Sequence, residues 1–330
     1  MRDTMVKALM EIASQDQRVM LLTADLGFGV LTPFAEAYPK QFLNVGVAEQ
    51  NMAGLAAGLA LEGKIVFLYS IGNFPTLRCL EQIRNDICYH QADVKIIAIG
   101  GGLCYGPLGI SHHATEDLAI MRALPNLQVM APGDLAETHL LTQIAYRTKG
   151  PVYLRLGRGG EARVHQGDLE VKLGQGITLF PEGEVALLST GGILENAVMA
   201  RERLAAWGVK ASLHRLPFLQ PLDTGLIENL AQAASLLATM EEHSIIGGLG
   251  GAVAEVLAEL PEPKALLLRF GLRQGFSCEV GDQNYLREIY GLSPDSMARR
   301  IYEAASRRKP KGKRLWHIEL SSLTRRGITR

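Results

Sequence analysis

The chain is predicted to be an α/β protein of two domains, the second smaller than the first. Three observations carry that expectation: short apolar runs alternating with helical segments, a lack of polar alternation inside those runs, and a break in the rhythm between about 157 and 183. Unbroken apolar strands are expected where helices cover both faces of a sheet. Repeated strand–helix–strand units imply mostly parallel order. A length of 330 residues is enough for two separate cores.

In the first block the strands are expected at Val19 to Thr23, Phe42 to Val45, Ile65 to Tyr69, Val94 to Ile99, Leu127 to Met130 and Val152 to Leu156. Helices are expected at Glu49 to Glu62 and Leu77 to Tyr89, with Gly63 and Gly133 at turns. Residues 1–160 form the first domain and 161–183, rich in Gly and charge, the linker. The second domain, 184–305, reads as strand Val185 to Ser189, helix Leu194 to Trp207, strand Lys210 to Leu216, helix Leu222 to Gln232, strand Ser235 to Met240, helix Gly247 to Leu260 and strand Ala265 to Phe270. Residues 306–330 are a basic tail, read as a solvated end or a docking element for a partner.

Lys and Arg number 34 and so do Asp and Glu, so no long-range field draws the chain to nucleic acid or to an anionic membrane. Cys79, Cys88, Cys104 and Cys278 lack metal-ligand spacing and are expected to be buried thiols of a reduced, cytoplasmic protein. The first residues are polar where a secretion signal would be apolar, and no apolar run approaches the roughly 20 residues of a membrane span.

The most informative stretch is Asn44-Val-Gly-Val-Ala-Glu-Gln-Asn-Met-Ala-Gly-Leu-Ala-Ala-Gly-Leu-Ala-Leu-Glu-Gly63. Glu49 follows an apolar strand end and opens a helix of small and apolar residues. Ala53, Ala56, Ala57 and Ala60 share one face and Gly54 and Gly58 add a flat one, so another helix or subunit can approach closely. A carboxylate there is desolvated unless it has a partner. Taken alone, it also favours its own helix N-terminus.

That string closely resembles the pyrimidine-binding domain of transketolases, and the resemblance continues in order. Ala24-Asp-Leu26 is similar to the domain's opening loop, and Pro39 to Phe42 to its lead-in to the glutamate strand. Glu81-Gln-Ile-Arg-Asn-Asp86, Gly109-Ile-Ser-His-His-Ala-Thr-Glu-Asp117, Met121-Arg-Ala-Leu-Pro-Asn126 and Pro151-Val-Tyr-Leu-Arg-Leu-Gly-Arg158 follow in sequence. Glu241-Glu-His-Ser-Ile-Ile-Gly-Gly-Leu-Gly250 and Tyr285-Leu-Arg-Glu-Ile-Tyr-Gly-Leu292 resemble the transketolase C-terminal domain. The resemblance covers nearly all of residues 1–305.

It implies a thiamine-diphosphate enzyme that moves a two-carbon ketol unit from a ketose donor to an aldose acceptor. Glu49 would bond N1′ of the aminopyrimidine, keeping or sharing a proton, so that the 4′-nitrogen can take the C2 proton. Phe74 would lie against the pyrimidine, with Asp25, Leu26 and Arg78 completing its surroundings. His112 would be the active-site histidine, with His113 and Arg158 joining it in binding the sugar and its distal anion. The family's diphosphate-and-metal motif is missing: Gly281-Asp-Gln-Asn284 is only a partial echo, and no metal residue is assigned here. A separate N-terminal subunit would hold the diphosphate with Mg2+ or Ca2+, the two chains assembling as α2β2.

Several positions depart from the family. Leu108 replaces an aspartate, Ile71 a frequent aromatic, and Gly29 and Gly100 two polar positions that help hold a phosphate. A donor unlike the ordinary pentose and hexose phosphates is therefore expected: a modified or nucleotide-linked sugar, or a 2-oxoacid. The alternatives are a decarboxylating relative (a 2-oxoacid dehydrogenase beta subunit or a deoxyxylulose-phosphate-synthase-like enzyme) and a non-catalytic assembly subunit.

Overall fold

The computed structural model describes residues 1–307 apart from 168, 262–264 and 274. The basic tail beyond Arg307 lies outside the described residues. Among the described residues, twelve strands form two sheets. The first domain contributes β1 (Val19–Thr23), β2 (Phe42–Asn44), β3 (Ile65–Ile71), β4 (Val94–Ile99), β5 (Gln128–Met130) and β6 (Val152–Leu156). From later in the chain come β7 (Ile177–Phe180), β8 (Val185–Ser189), β9 (Ala211–Arg215), β10 (Phe218–Gln220), β11 (Leu236–Ser244) and β12 (Leu266–Leu272).

The first sheet has the order β10-β5-β6-β4-β3-β1-β2 and is parallel except for β10, which runs antiparallel to β5. The second has the order β12-β11-β8-β9-β7 and is parallel except for β7. Strands β4 and β6 are buried at every position, including Lys95 and Arg155, which interrupt their otherwise apolar runs. Met52, Ala53, Ala56 and Ala57 pack the helix Glu49–Leu61 onto one face of the first sheet, and Met5, Leu9 and Phe34 belong to the core on the other.

Four readings of the sequence are corrected. The stretch read as linker contains β7, an edge strand of the second sheet. The segment Leu77 to Tyr89 is not one helix but Asn73–Leu77, a turn at Leu80–Gln82, and a wide π-helical turn at Ile83–Cys88. β10 belongs to the first sheet although its residues follow the second domain's β9. Cys79, Cys88 and Cys104 are buried, and burial pushes their thiols up to about 12, but Cys278 is exposed. Among the described residues no helix is long and apolar enough to cross a membrane.

The domains are joined by buried polar contacts. Arg215 on β9 donates through Nε and Nη2 to the two oxygens of Glu137, each at 2.9 Å, and both residues are fully buried. Glu137 stands in the helix Leu135–Arg147, whose N-cap Asp134 accepts from the Glu137, Val164 and His165 amides. Asp134, Glu137 and His165 have the spacing of a metal-ligand set. The two carboxylates are nevertheless engaged, Glu137 by Arg215 and the Gly133 amide and Asp134 by backbone N–H groups and His165 Nδ1, so the cation that Glu137 holds is a guanidinium.

Candidate active site at the carboxyl edge of the first sheet

Parallel strands bring the loops after β2, β3, β4 and β6 to one edge of the sheet, where α/β proteins bind ligands. Glu49 follows β2, Phe74 and Arg78 follow β3, the Gly100 to Gly109 loop leads from β4 to His112, and Arg158 follows β6.

Glu49 begins its helix with the residue only 3% exposed. Its Oε2 accepts from Arg78 Nη1 at 2.7 Å, while Oε1 has no hydrogen-bond partner among the described residues. Arg78 also lies over the Phe74 ring, its Cζ 4.6 Å from the centroid. Phe74 meets the His112 ring edge-on with centroids 5.4 Å apart. His112 in turn meets Tyr105 at 6.0 Å, and the Arg158 guanidinium lies 5.8 Å from the Tyr105 centroid. Glu49, Arg78, Phe74, His112, Tyr105 and Arg158 thus form one unbroken line of contacts, with a carboxylate at one end and an exposed arginine at the other.

Ser111 Oγ lies 3.0 Å from His112 Nδ1, and Asn73 Nδ2 donates to the Ile110 and Ser111 carbonyls at 3.4 Å. These bonds tie the loop after β3 to the loop bearing the histidine. His113 is 1% exposed, and burial holds its imidazole below the ordinary value. Its ring is therefore buried rather than presented at the surface. Leu108 and Ile110, at 54% and 46% exposure, present apolar side chains beside them.

Asp25 and Leu26 approach by another route. Asp25 takes a positive φ of 55° and donates its N–H to Asn44 Oδ1 at 3.0 Å, and Asn44 Nδ2 donates back to Asp25 Oδ1. The Gly46 amide donates to the same Asn44 oxygen. Asn44 therefore fixes the loop after β1 to the loop that delivers Glu49, and no direct bond joins Asp25 or Leu26 to Glu49 among the described residues. Asn44 and Tyr105 are the residues sequence reasoning passed over. Asn44 opens the motif already singled out, and Tyr105 is the lone aromatic in the Gly-rich loop that follows β4.

The groups present fit the aminopyrimidine of thiamine diphosphate: a buried carboxylate with a free oxygen, next to an aromatic face. Asp282, in the partial echo of the metal motif, caps the helix Gln283–Ile289 by accepting from the Tyr285 amide at 3.0 Å.

The transketolase pyrimidine-binding domain model matches residues 1–160, and the transketolase C-terminal domain model matches residues 174–297. The chain is 35% identical to an apulose-4-phosphate transketolase subunit of Actinobacillus succinogenes, over 81% of this chain and 86% of the relative. It is 36% identical to a 6-deoxy-6-sulfo-D-fructose transketolase subunit of a Clostridium species, over 93% and 95%. A solved split-gene transketolase, described as an inactive beta4 tetramer, is 38% identical and superposes with a TM-score of 0.83 over 92% of this chain and 97% of that one.

Proposed function

This chain belongs to the transketolase family, carrying its pyrimidine-binding and C-terminal domains, and from that premise we propose that it is the C-terminal subunit of a split, thiamine-diphosphate-dependent transketolase. Bound between this chain and an N-terminal partner, the cofactor would supply the carbanion chemistry that carries a two-carbon ketol unit from a ketose to an aldose. Glu49 holds the aminopyrimidine N1′ through its carboxyl and moves the proton there. Phe74 covers the ring, Arg78 steadies Glu49 and the aromatic face, and Asp25 and Leu26 border the ring through the Asn44 loop. His112 binds and orients the donor's hydroxyls, with His113 supporting it from within. Arg158 holds the donor's distal anion. The diphosphate and its Mg2+ or Ca2+ fall to the partner.

The observation that carries this reading is the single line of contacts from Glu49 to Arg158. Partner dependence is supported by an open apolar surface around it: Phe28 is 78% and Val47 74% exposed. Along the Glu49 helix, a Cβ added at Gly54 or Gly58 would meet nothing within 4 Å. A surface of that kind is unusual on a chain that works alone. An α2β2 assembly in the cytoplasm buries it from both sides.

The donor is a modified ketose bearing a phosphate or sulfonate. Leu108 stands where a sugar hydroxyl would need an acceptor, Arg158 keeps the anion contact, and relatives matched over most of their length are named for apulose-4-phosphate and 6-deoxy-6-sulfo-fructose. Relatives named 1-deoxy-D-xylulose-5-phosphate synthase are 33–37% identical, but this chain spans only 45–47% of their length, so the decarboxylating alternative is the weaker reading.

The test is Glu49→Gln in the reconstituted pair. Assembly should be intact and turnover about 10²–10⁴-fold lower, the usual effect of losing one proton-transfer group. Undiminished turnover would reject the assignment. Tight binding of thiamine diphosphate and magnesium by this chain alone would reject the division of the site.

A further inference from the structure

The loop that delivers His112 is held by the C-terminal domain. Leu103 is fully buried and belongs to that domain's core, among Val185, Leu187, Ile193, Met240 and Leu286. Its backbone N–H donates to Glu242 Oε1 at 2.6 Å. Glu242, on β11, is 3% exposed; Arg287 Nε donates to its other oxygen at 2.5 Å, and Gln283 Nε2 donates to both oxygens. The same Gln283 nitrogen lies 3.2 Å from Cys104 Sγ. Backbone contact is equally close: a Cβ at Gly102 would stand 2.6 Å from the Glu242 carbonyl oxygen, and one at Gly106 would clash with that of Gly281.

Arg155 completes the arrangement. It pairs with Asp117 at 2.8 Å and donates from Nη2 to the carbonyls of Ala114 and Glu242, one on each side of the domain boundary. Ala114 exchanges backbone hydrogen bonds with Gly102 at 2.7 and 3.0 Å, closing the loop's base around His112 and His113. Behind the loop, a cavity of about 150 Å³ bordered by Gly101, Cys104, Arg155 and Glu242 gives the segment room to shift if released.

We propose that the C-terminal domain is a clamp for the substrate loop and that Glu242 is a positioning residue for His112. Leu103 is the plug, Glu242 fixes the backbone above it, and Arg287 keeps the Glu242 carboxylate aimed. The domain then sets how firmly the donor is gripped without touching it. This rests on the transketolase reading above and assigns the C-terminal domain a part in it. The Glu49–Phe74 end of the site lies on other loops, so cofactor binding should be spared when the clamp is broken.

Three variants test the clamp in the reconstituted pair. Glu242→Ala removes the acceptor and Leu103→Ala the plug, while Glu242→Gln retains a carbonyl oxygen for the Leu103 amide. Amide exchange is followed over residues 100–113 and over Glu49–Leu61, with donor KM, kcat and thiamine diphosphate affinity measured alongside. Glu242→Ala and Leu103→Ala should each speed exchange in 100–113 at least 10-fold and raise donor KM 10-fold or more. Thiamine diphosphate affinity should stay within twofold and the Glu49 helix should keep its protection. Glu242→Gln should restore part of both losses. Unchanged exchange and unchanged donor KM in a folded Leu103→Ala pair would overturn the clamp, even if Glu242→Ala fails to fold. A wild-type pair that neither binds thiamine diphosphate nor transfers ketol units would instead overturn the functional reading, and the exchange data would still decide the clamp.

Discussion

Glu49 shares its Oε2 with Arg78, and Arg78 lies on the Phe74 ring, so that ring faces both the cation and the place proposed for the pyrimidine. Aromatic contacts of this type are worth about 0.5–1.5 kcal/mol beyond buried area, so Phe74→Ala should weaken thiamine diphosphate binding to the pair about 2–10-fold in a fluorescence titration. A second residue-scale prediction concerns pH. Burial lowers His214 and His243 to about 4 from 6.5, with Asp117 opposing the shift at His243. Between those values the unfolded chain binds protons that the folded chain refuses, so stability is full above pH 6.5 and lost as pH falls toward 4. Glu241, raised by burial to about 7, acts in the opposite sense and loses its contribution as pH rises. His214→Gln should therefore flatten the fall of melting temperature between pH 6.5 and 4. At this scale Glu49, Phe74, Arg78, His112 and Arg158 could be named from the sequence because the transketolase resemblance runs in order along the chain, and the fold brings them into one line of contacts. Tyr105 and Glu242 were not, since their importance comes from contacts made across a loop and a domain boundary.

The helix Glu49–Leu61 buries its alanine face and leaves Gly54 and Gly58 uncovered. Gly in a helix interior costs about 0.5–1 kcal/mol relative to Ala, so Gly54→Ala should stabilise the isolated chain by about that much in urea unfolding. Gly54→Phe should leave the isolated chain folded yet prevent its association with the partner, read by sizing chromatography. Asp223 is a different case: its Oδ1 caps the helix Thr224–Ala233 through the Leu226 amide, and Oδ2 accepts from the Gly176 amide at 2.7 Å. Asp223→Ala should cost about 0.5–2 kcal/mol, the range for a lost N-cap. Among the elements, β1, β4, β6 and β8 were legible because their runs are mostly apolar without polar alternation, broken inside β4 and β6 only by Lys95 and Arg155. β7 was hidden because it is a half-exposed edge in a stretch dense with Gly and charge. The helices Arg2–Ala13 and Leu135–Arg147 mix polar residues into their apolar spacing, which blurs the periodic signal.

Across the whole molecule, the buried pair of Arg215 and Glu137 fastens one domain to the other. Arg215→Met would strand a buried carboxylate and should cost about 3–5 kcal/mol, while Arg215→Met with Glu137→Leu should recover most of that loss in denaturant unfolding. Nothing local along the chain points to this pair, whose members are 78 positions apart. The two sheets and their order of appearance were legible, because local apolar runs suffice for that. Strand β10 was unforeseen for the same reason that Arg215 was: Phe218–Gln220 is three residues long and pairs with β5 from the other half of the chain, Phe218 opposite Met130.

That borrowed strand limits how the protein can be dissected. A fragment ending at residue 160 would carry the whole proposed pyrimidine site but would leave the outer side of β5 without its neighbour. Bare edges of that sort recruit further copies or other chains. Fragments intended for crystallisation, or chimaeras that graft another relative's second half, should therefore bring a matching three-residue strand with them.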